Sequence, residues 1–299
     1  MNRSVTVRVP AKVNVQLAVG APRPDGFHDL ANVFLAVGLY DEVTVTPADT
    51  LRVTCSGPDA GQVPLDTTNL AARAATALAA RHGIAPDVHL HITKDIPVAG
   101  GMAGGSADGA AALLACDALW ATGATRDELL EICAELGSDV PFSLVGGAAL
   151  GVGRGERLTP VEVGGGFHWV FAVADGGLST PAVYGEFDRL TAGTRVPEPA
   201  ASPALLTALR KGDTTALADA LSNDLQAAAL SLRPSLADTL AAGTAAGALA
   251  ALVSGSGPTT AFLTADEESA RKVADALLSS GTCREARVAT SPAAGATVV

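Results

Sequence analysis

The stretch Pro97-Val98-Ala99-Gly100-Gly101-Met102-Ala103-Gly104-Gly105-Ser106-Ala107-Asp108 constrains this chain more than any other. Four glycines within six residues give more backbone freedom than an ordinary turn requires. Before it, Val88, Leu90 and Ile92 alternate with His89, His91 and Thr93, the period of a strand. After it, residues 107–120 are rich in Ala and Leu, with no glycine past Gly109 and no proline, which predicts a helix. Strand, glycine-rich loop and helix in that order can hold an anion, because a helix start presents unpaired N–H groups and the positive end of its dipole. A plain tight connection between strand and helix explains the same residues. The loop does not match G-x-x-x-x-G-K-[ST], since no lysine follows the glycines. Nor does it match G-x-G-x-x-G, since the glycines fall in pairs around Met102-Ala103. That spacing disfavours a Rossmann-type oxidoreductase and leaves the choice to the rest of the chain.

At 299 residues and 48% hydrophobic content, the chain is long enough for two modest domains, or one large one, around a real core. No apolar run approaches ~20 residues, so no membrane span is expected. Residues 5–9 alternate Val with Thr and Arg, which reads as a strand and not as a signal peptide. Cys55, Cys116, Cys133 and Cys283 lack C-x-x-C spacing, so free thiols in a reducing cytoplasm are expected, without a metal cluster. The net charge of −11 argues against nucleic acid or an anionic membrane as partner. A polyanion would have to be held by local charges, backbone dipoles and a divalent cation. The chain has only four lysines, Lys12, Lys94, Lys211 and Lys272.

The first strand is expected to break at Pro10. Apolar residues at 13, 15, 17 and 19 then alternate with Asn14, Gln16 and Ala18, which puts Lys12 and Asn14 on one face. Lys12 is either an edge lysine that deters aggregation or a positive charge beside a reacting hydroxyl. Pro24-Asp25-Gly26 is turn chemistry. Phe27 and His28 beyond it either fold back on the core or stack on a flat ligand. Strands are expected at 32–38, 42–46 and 51–55, and helices at 67–82 and 126–136, closed by Gly83 and Gly137. In Ser138-Asp139-Val140-Pro141-Phe142 the aspartate suits a turn or helix cap, and equally a fixed carboxylate stiffened by Pro141. A strand at 145–152 leads to a turn at Gly153-Arg154-Gly155. The character shifts at 160–166, so domains are expected at 1–162 and 163–299. Beyond lie a strand at 169–174, a Pro-bearing helix start at 179–184, a linker-like stretch at 190–203, and helices to about Gly247. Ser254-Gly255-Ser256-Gly257-Pro258 precedes an apolar strand, as a hairpin turn or as a loop pressed on an anion site. A helix at 267–278 and a strand at 285–289 close the chain.

Together these segments resemble the GHMP kinases, the group that includes galactokinase, homoserine kinase and mevalonate kinase. The loop from Pro97 is similar to that family's P-x-x-x-G-(L/M)-(G/A)-(G/S)-S ATP loop, and residues 254–258 to its third motif. Three further stretches resemble the branch acting on a cytidine diphosphate-linked methylerythritol: Pro10-Ala11-Lys12-Val13-Asn14, Arg23-Pro24-Asp25-Gly26-Phe27-His28 and Leu136-Gly137-Ser138-Asp139-Val140-Pro141-Phe142. The resemblance runs nearly the whole chain, in order. It implies an α+β fold of two domains, the first related to ribosomal protein S5 domain 2 and the second α/β, with the active site in the cleft between them. It also implies ATP with Mg²⁺, and transfer of the γ-phosphoryl to the 2-hydroxyl of 4-diphosphocytidyl-2-C-methyl-D-erythritol on the non-mevalonate route to isoprenoids.

By the same resemblance, Pro97, Val98, Ala99, Gly100, Gly101, Met102, Ala103, Gly104, Gly105, Ser106 and Ala107 cradle ATP, with Asn69 and Lys94 towards the adenine. Asp139 orients the substrate hydroxyl and accepts its proton, while Lys12 pairs with it and stabilises the oxyanion. Phe27 and Tyr184 sandwich the cytosine, His28 reads its edge, and Asn14, Gly255 and Ser256 lie against the substrate. Two departures stand out: Ala107 replaces a common second Ser, and Asp108 replaces a common amide. Asp108 is expected either to point away from phosphate or to reach Mg²⁺. A sister kinase for homoserine or mevalonate leaves Pro-Asp-Gly-Phe-His without a purpose, and a non-catalytic sensor would be expected to lack Lys12 or Asp139. A cytoplasmic monomer or weak homodimer is expected.

Overall fold

The computed structural model of the chain describes residues 4–98 and 100–299, so the expectation for Ala99 lies outside the described residues. The apolar alternation at the start of the chain produces two long strands, β1 (Val5–Pro22) and β2 (His28–Pro47), paired antiparallel around the Pro-Asp-Gly turn. Pro10 does not break β1. A register shift between Pro10 and Ala11 absorbs the proline while the strand continues. There follow β3 (Arg52–Ser56), α1 (Leu70–His82), β4 (Val88–Thr93), α2 (Gly104–Trp120), α3 (Arg126–Leu136), α4 (Val140–Val145), β5 (Ala148–Gly153) and β6 (Arg157–Pro160). The separate strands expected at 32–38 and 42–46 are one strand, β2, because its two halves meet different neighbours. Residues 30–35 pair with β5 and residues 42–47 with β4, both antiparallel. Val145 belongs to α4 rather than to the strand expected there.

Next come β7 (Phe167–Val173), α5 (Thr180–Thr191), α6 (Pro203–Lys211), α7 (Thr214–Ala220), β8 (Ser222–Asn223), α8 (Gln226–Leu232) and α9 (Ser235–Ala245). The chain ends with β9 (Ala250–Val253), β10 (Thr260–Thr264), α10 (Glu267–Ser280), β11 (Glu285–Ser291) and β12 (Thr297–Val298). A second, antiparallel sheet runs β11-β7-β10-β9. The first runs β12-β1-β2-β4-β3, with β5 and β6 continuing from β2 and β8 beside β1. The fold is thus α+β with two sheets. We place the division between its halves at 161–166, between β6 and β7, although β8 and β12 return to the first sheet.

α2 is the packing centre of the first half. Ala107, Ala110, Ala111, Ala112, Leu113, Ala115 and Cys116 are all fully buried, which covers every face of the helix. It packs on α1, β1, β2 and α4, and its small side chains let α1 approach closely, with the Cβ that Gly109 lacks falling 3.2 Å from Leu70 Cβ. The helix begins at Gly104, three residues before the Ala-rich run that predicted it. Its first residue has no room for a side chain: a Cβ at Gly104 would lie 2.7 Å from Lys94 Nζ and 3.2 Å from Ile96 Cγ2.

Candidate active site

β4 hands the chain to the glycine loop across a buried polar knot. The Lys94 ammonium bonds the Asp41 carboxylate and donates to Asp108 Oδ2 at 3.0 Å. Asp41 Oδ1 also accepts the N–H groups of Asp95 and Ile96, at 2.6 and 2.8 Å. Burial opposes the charge on Lys94, but the two carboxylates outweigh it and raise its pKa. Burial, joined by the nearby Asp41, pushes the Asp108 carboxyl well above the usual range. Above this knot Met102 is fully buried, and Ala103 sits in the left-handed region at φ 60. No side chain caps α2. Its first helical bond runs from Ala107 N to Ala103 O, so the N–H groups of Gly104, Gly105 and Ser106 have no helical acceptor. Gly100, Gly101 and these first-turn residues line a cleft of about 830 Å³.

The hairpin loop between β9 and β10 presses on this cradle. Gly101 has φ +73, and a Cβ there would lie 2.1 Å from Ser254 O, so only glycine allows the two loops to meet. Ser254 Oγ donates to Gly101 O at 3.1 Å. Residues 254–258 are therefore the turn of a hairpin, and Gly255, Ser256 and Gly257 within it are a wall of the cleft.

Lys12 projects from β1 into the same place. Its Nζ donates to Asn14 Oδ1 at 2.6 Å and to Gly101 O at 2.9 Å, and stands 3.6 Å from Asp139 Oδ2. Asn14 Nδ2 in turn donates to Asn32 Oδ1 at 2.7 Å on β2. The polar face of β1 is thus covered, and Lys12 is only 4% exposed, so it is no edge lysine. Burial pulls the Lys12 pKa below its ordinary value, and the charge of Asp139 works against that pull. Asp139 occupies the position before α4 but makes no side-chain cap. Its carboxylate keeps partial solvent access on the cleft wall.

The cleft continues to Phe27, His28 and Tyr184. His28 is buried, with its ring 5.0 Å from that of Tyr184 and its Nε2 2.8 Å from Asp188 Oδ1. Phe27 is half exposed, and the Arg154 guanidinium lies 5.0 Å from its ring centroid. Arg154 has no carboxylate partner among the described residues. Ser256 and Thr180 share a hydroxyl hydrogen bond of 2.9 Å at the cleft wall. The Gly255 carbonyl accepts from Asn223 Nδ2 at 2.7 Å.

Residues 69–147 match the GHMP kinases N terminal domain, and residues 205–282 match GHMP kinases C terminal. A 4-diphosphocytidyl-2-C-methyl-D-erythritol kinase of Streptomyces avermitilis is 82% identical over 296 residues, covering 99% of this chain and all of its own. The Streptomyces coelicolor protein of the same name is 78% identical, covering 99% of both chains. The chain belongs to the 4-diphosphocytidyl-2-C-methyl-D-erythritol kinases. It is an ATP-dependent small-molecule kinase. A crystal structure of 4-(cytidine 5'-diphospho)-2C-methyl-D-erythritol kinase superposes with a TM-score of 0.78 at 31% identity, covering 95% of this chain and 98% of that one. Homoserine kinase from Cytophaga hutchinsonii reaches the same TM-score at 21% identity, covering 100% and 98%. Backbone shape alone therefore does not choose between the two chemistries, and the side chains in the cleft carry the distinction.

For a 4-diphosphocytidyl-2-C-methyl-D-erythritol kinase, several residues expected at ATP are otherwise occupied here. Asn69 caps α1: its Oδ1 accepts from Ala71 N at 2.8 Å and its Nδ2 donates to Pro64 O at 2.7 Å. Lys94 is buried beneath the loop, bound to two carboxylates, and does not line the cleft. Asp108, its partner, is buried and does not line the cleft. Ala107 and Met102 are core side chains, and Pro97 is buried while Val98 donates its N–H to Asp59 Oδ2 at 3.4 Å. Sequence reasoning missed Asn32, Arg154, Asp188 and Asn223. Asp188 carried a signal, since it stands one helical turn after Tyr184, whereas the others reach the site only through long-range pairing.

Proposed function

We propose that this kinase transfers the γ-phosphoryl of ATP to the 2-hydroxyl of 4-diphosphocytidyl-2-C-methyl-D-erythritol, releasing ADP and the 2-phosphate, on the non-mevalonate route to isoprenoids. The observation that carries the reading is one continuous cleft. It joins an uncapped helix start, a Lys12–Asp139 pair and an aromatic–histidine pocket. Phosphoryl transfer asks the protein for position and charge stabilisation more than for covalent chemistry.

The N–H groups of Gly104, Gly105 and Ser106 hold the phosphates at the positive end of α2. Asp139 orients the hydroxyl and takes its proton as the new O–P bond forms and the bond to the leaving ADP oxygen breaks. Lys12, fixed by Asn14 and the Gly101 carbonyl, stabilises the charge that develops on the attacking oxygen. Phe27 and Tyr184 sandwich the cytosine, and Arg154 meets the diphosphate of the same substrate. Gly255 and Ser256 close on the methylerythritol from the hairpin loop. Mg²⁺ would come with ATP, held mostly by phosphate oxygens. The Ser106 hydroxyl is an oxygen donor on the cleft wall that fits it, and the ion would neutralise charge on the β- and γ-phosphates.

No described helix is long and apolar enough to cross a membrane, and we place the enzyme in the cytoplasm as a monomer or weak homodimer. A coupled ADP-release assay compares the cytidine substrate with homoserine and mevalonate. Turnover of the cytidine substrate alone is expected, and preferential turnover of either small alcohol overturns the assignment.

A further inference from the structure

One face of α5 is turned to His28. Tyr184, Phe187 and Asp188 stand at i, i+3 and i+4, the spacing that gathers side chains on one side of a helix. The Tyr184 ring lies 5.0 Å from the imidazole, Phe187 meets it nearly edge-on at 6.1 Å, and Asp188 Oδ1 is 2.8 Å from Nε2. At 6% exposure the ring has little room to turn. Nδ1 has no partner among the described residues and is not among the sealed, unpaired atoms, while His28 itself lines the cleft. An ionised carboxylate only accepts, so Nε2 carries the proton, and Nδ1 of the neutral imidazole is left as an acceptor. An acceptor at the edge of a pyrimidine matches an exocyclic amine. Opposite the carbonyl that replaces the amine in an oxo-pyrimidine, it faces a second acceptor with no proton between them.

We propose that Asp188 is a positioning residue that, by fixing the His28 tautomer, makes this cleft choose an amino-pyrimidine over an oxo-pyrimidine nucleoside diphosphate. This rests on the reading above that the pyrimidine lies among Phe27, His28 and Tyr184. The asparagine of Asp188→Asn can donate as well as accept, so it frees the tautomer while keeping the shape. Asp188→Glu keeps an acceptor-only partner.

The test measures kcat and KM for the cytidine diphosphate-linked substrate and its uridine diphosphate-linked counterpart at saturating ATP. It uses the wild type, both Asp188 variants and Phe27→Ala. In Asp188→Asn the cytidine-to-uridine ratio of kcat/KM is expected to fall by about 10- to 100-fold. The change should sit in KM for the cytidine substrate, with KM for ATP unmoved and partial recovery in Asp188→Glu. Nitrogen-15 spectra of labelled histidine should show Nε2–H in the wild type and a mixture in the asparagine variant. Two results overturn the proposal alone: retained discrimination in Asp188→Asn, or equal losses for both nucleotides and ATP, in either case with Phe27→Ala still weakening the cytidine substrate. A wild type without discrimination, together with no effect of Phe27→Ala, removes the pyrimidine reading itself and the proposal with it.

Discussion

Replacing Gly101 by alanine tests how the two loops of the cleft are fitted together. The new Cβ would stand 2.1 Å from Ser254 O, so the hairpin loop must retreat by roughly 1 Å to reach even a tight contact. Alanine at φ +73 adds about 1–2 kcal/mol of left-handed strain. Retreat also loosens two bonds to the Gly101 carbonyl, from Ser254 Oγ and from the Lys12 ammonium. These are worth about 1 kcal/mol for the hydroxyl and about 1.5–3 kcal/mol for the charged donor. The expected loss is about 3–6 kcal/mol, which at roughly 2 °C per kcal/mol for a chain of this size lowers Tm by about 6–12 °C. Displacing the helix start and Lys12 together should also lower kcat/KM by about 10²-fold. Gly105→Ala is the contrast: its Cβ meets nothing nearer than Leu70 Cδ1 at 3.9 Å, and helix propensity favours it by up to about 1 kcal/mol. Thermal unfolding and steady-state kinetics on both variants decide the matter. A Gly101→Ala protein melting within about 2 °C of wild type with unchanged kinetics refutes the packing argument.

Arg284 joins Asp59 through two bonds of 2.8 and 2.6 Å, tying the start of β11 to the carboxylate that also receives Val98 N–H. Arg284→Ala should cost about 1–2 kcal/mol and raise KM for ATP. The Arg284 hydrogen bonds hold the Asp59 carboxyl below its ordinary pKa, so the wild-type advantage is present above pH 3.8 and lost as pH falls through the lowered value. Equal acid sensitivity of the two proteins would contradict this. Asp108 has the opposite sign. Burial lifts its pKa from 3.8 to about 7, so the folded state holds more protons than the unfolded one across that window and stability declines as pH rises through it. Asp108→Asn should flatten the decline in a pH series of denaturant melts, and an unchanged slope would show that Asp108 ionises freely.

The parts of this fold governed by near neighbours were legible from sequence. Gly83 closes α1 at φ +63, Gly137 follows the last residue of α3, and the glycine loop does connect strand to helix. The helix expected from residue 67 begins at Leu70 instead, because Asn69 caps it. What stayed hidden depends on distant pairing. Asp41 meets Lys94 across 53 residues, and Asp188 meets His28 across 160. No local pattern showed that the lysine and Asp108 would pair under the loop. Likewise, one strand serving two neighbours looks like two strands until its partners are known.

The central claim is that Asp139, 3.6 Å from the Lys12 ammonium, takes the proton from the attacking hydroxyl. Asp139→Asn keeps the size and the backbone position before α4 while removing the base. Measured by rapid-quench turnover beside equilibrium binding of ATP, kcat should fall by about 10²–10⁴-fold with ATP affinity nearly unchanged. A variant that turns over at close to the wild-type rate would contradict the account.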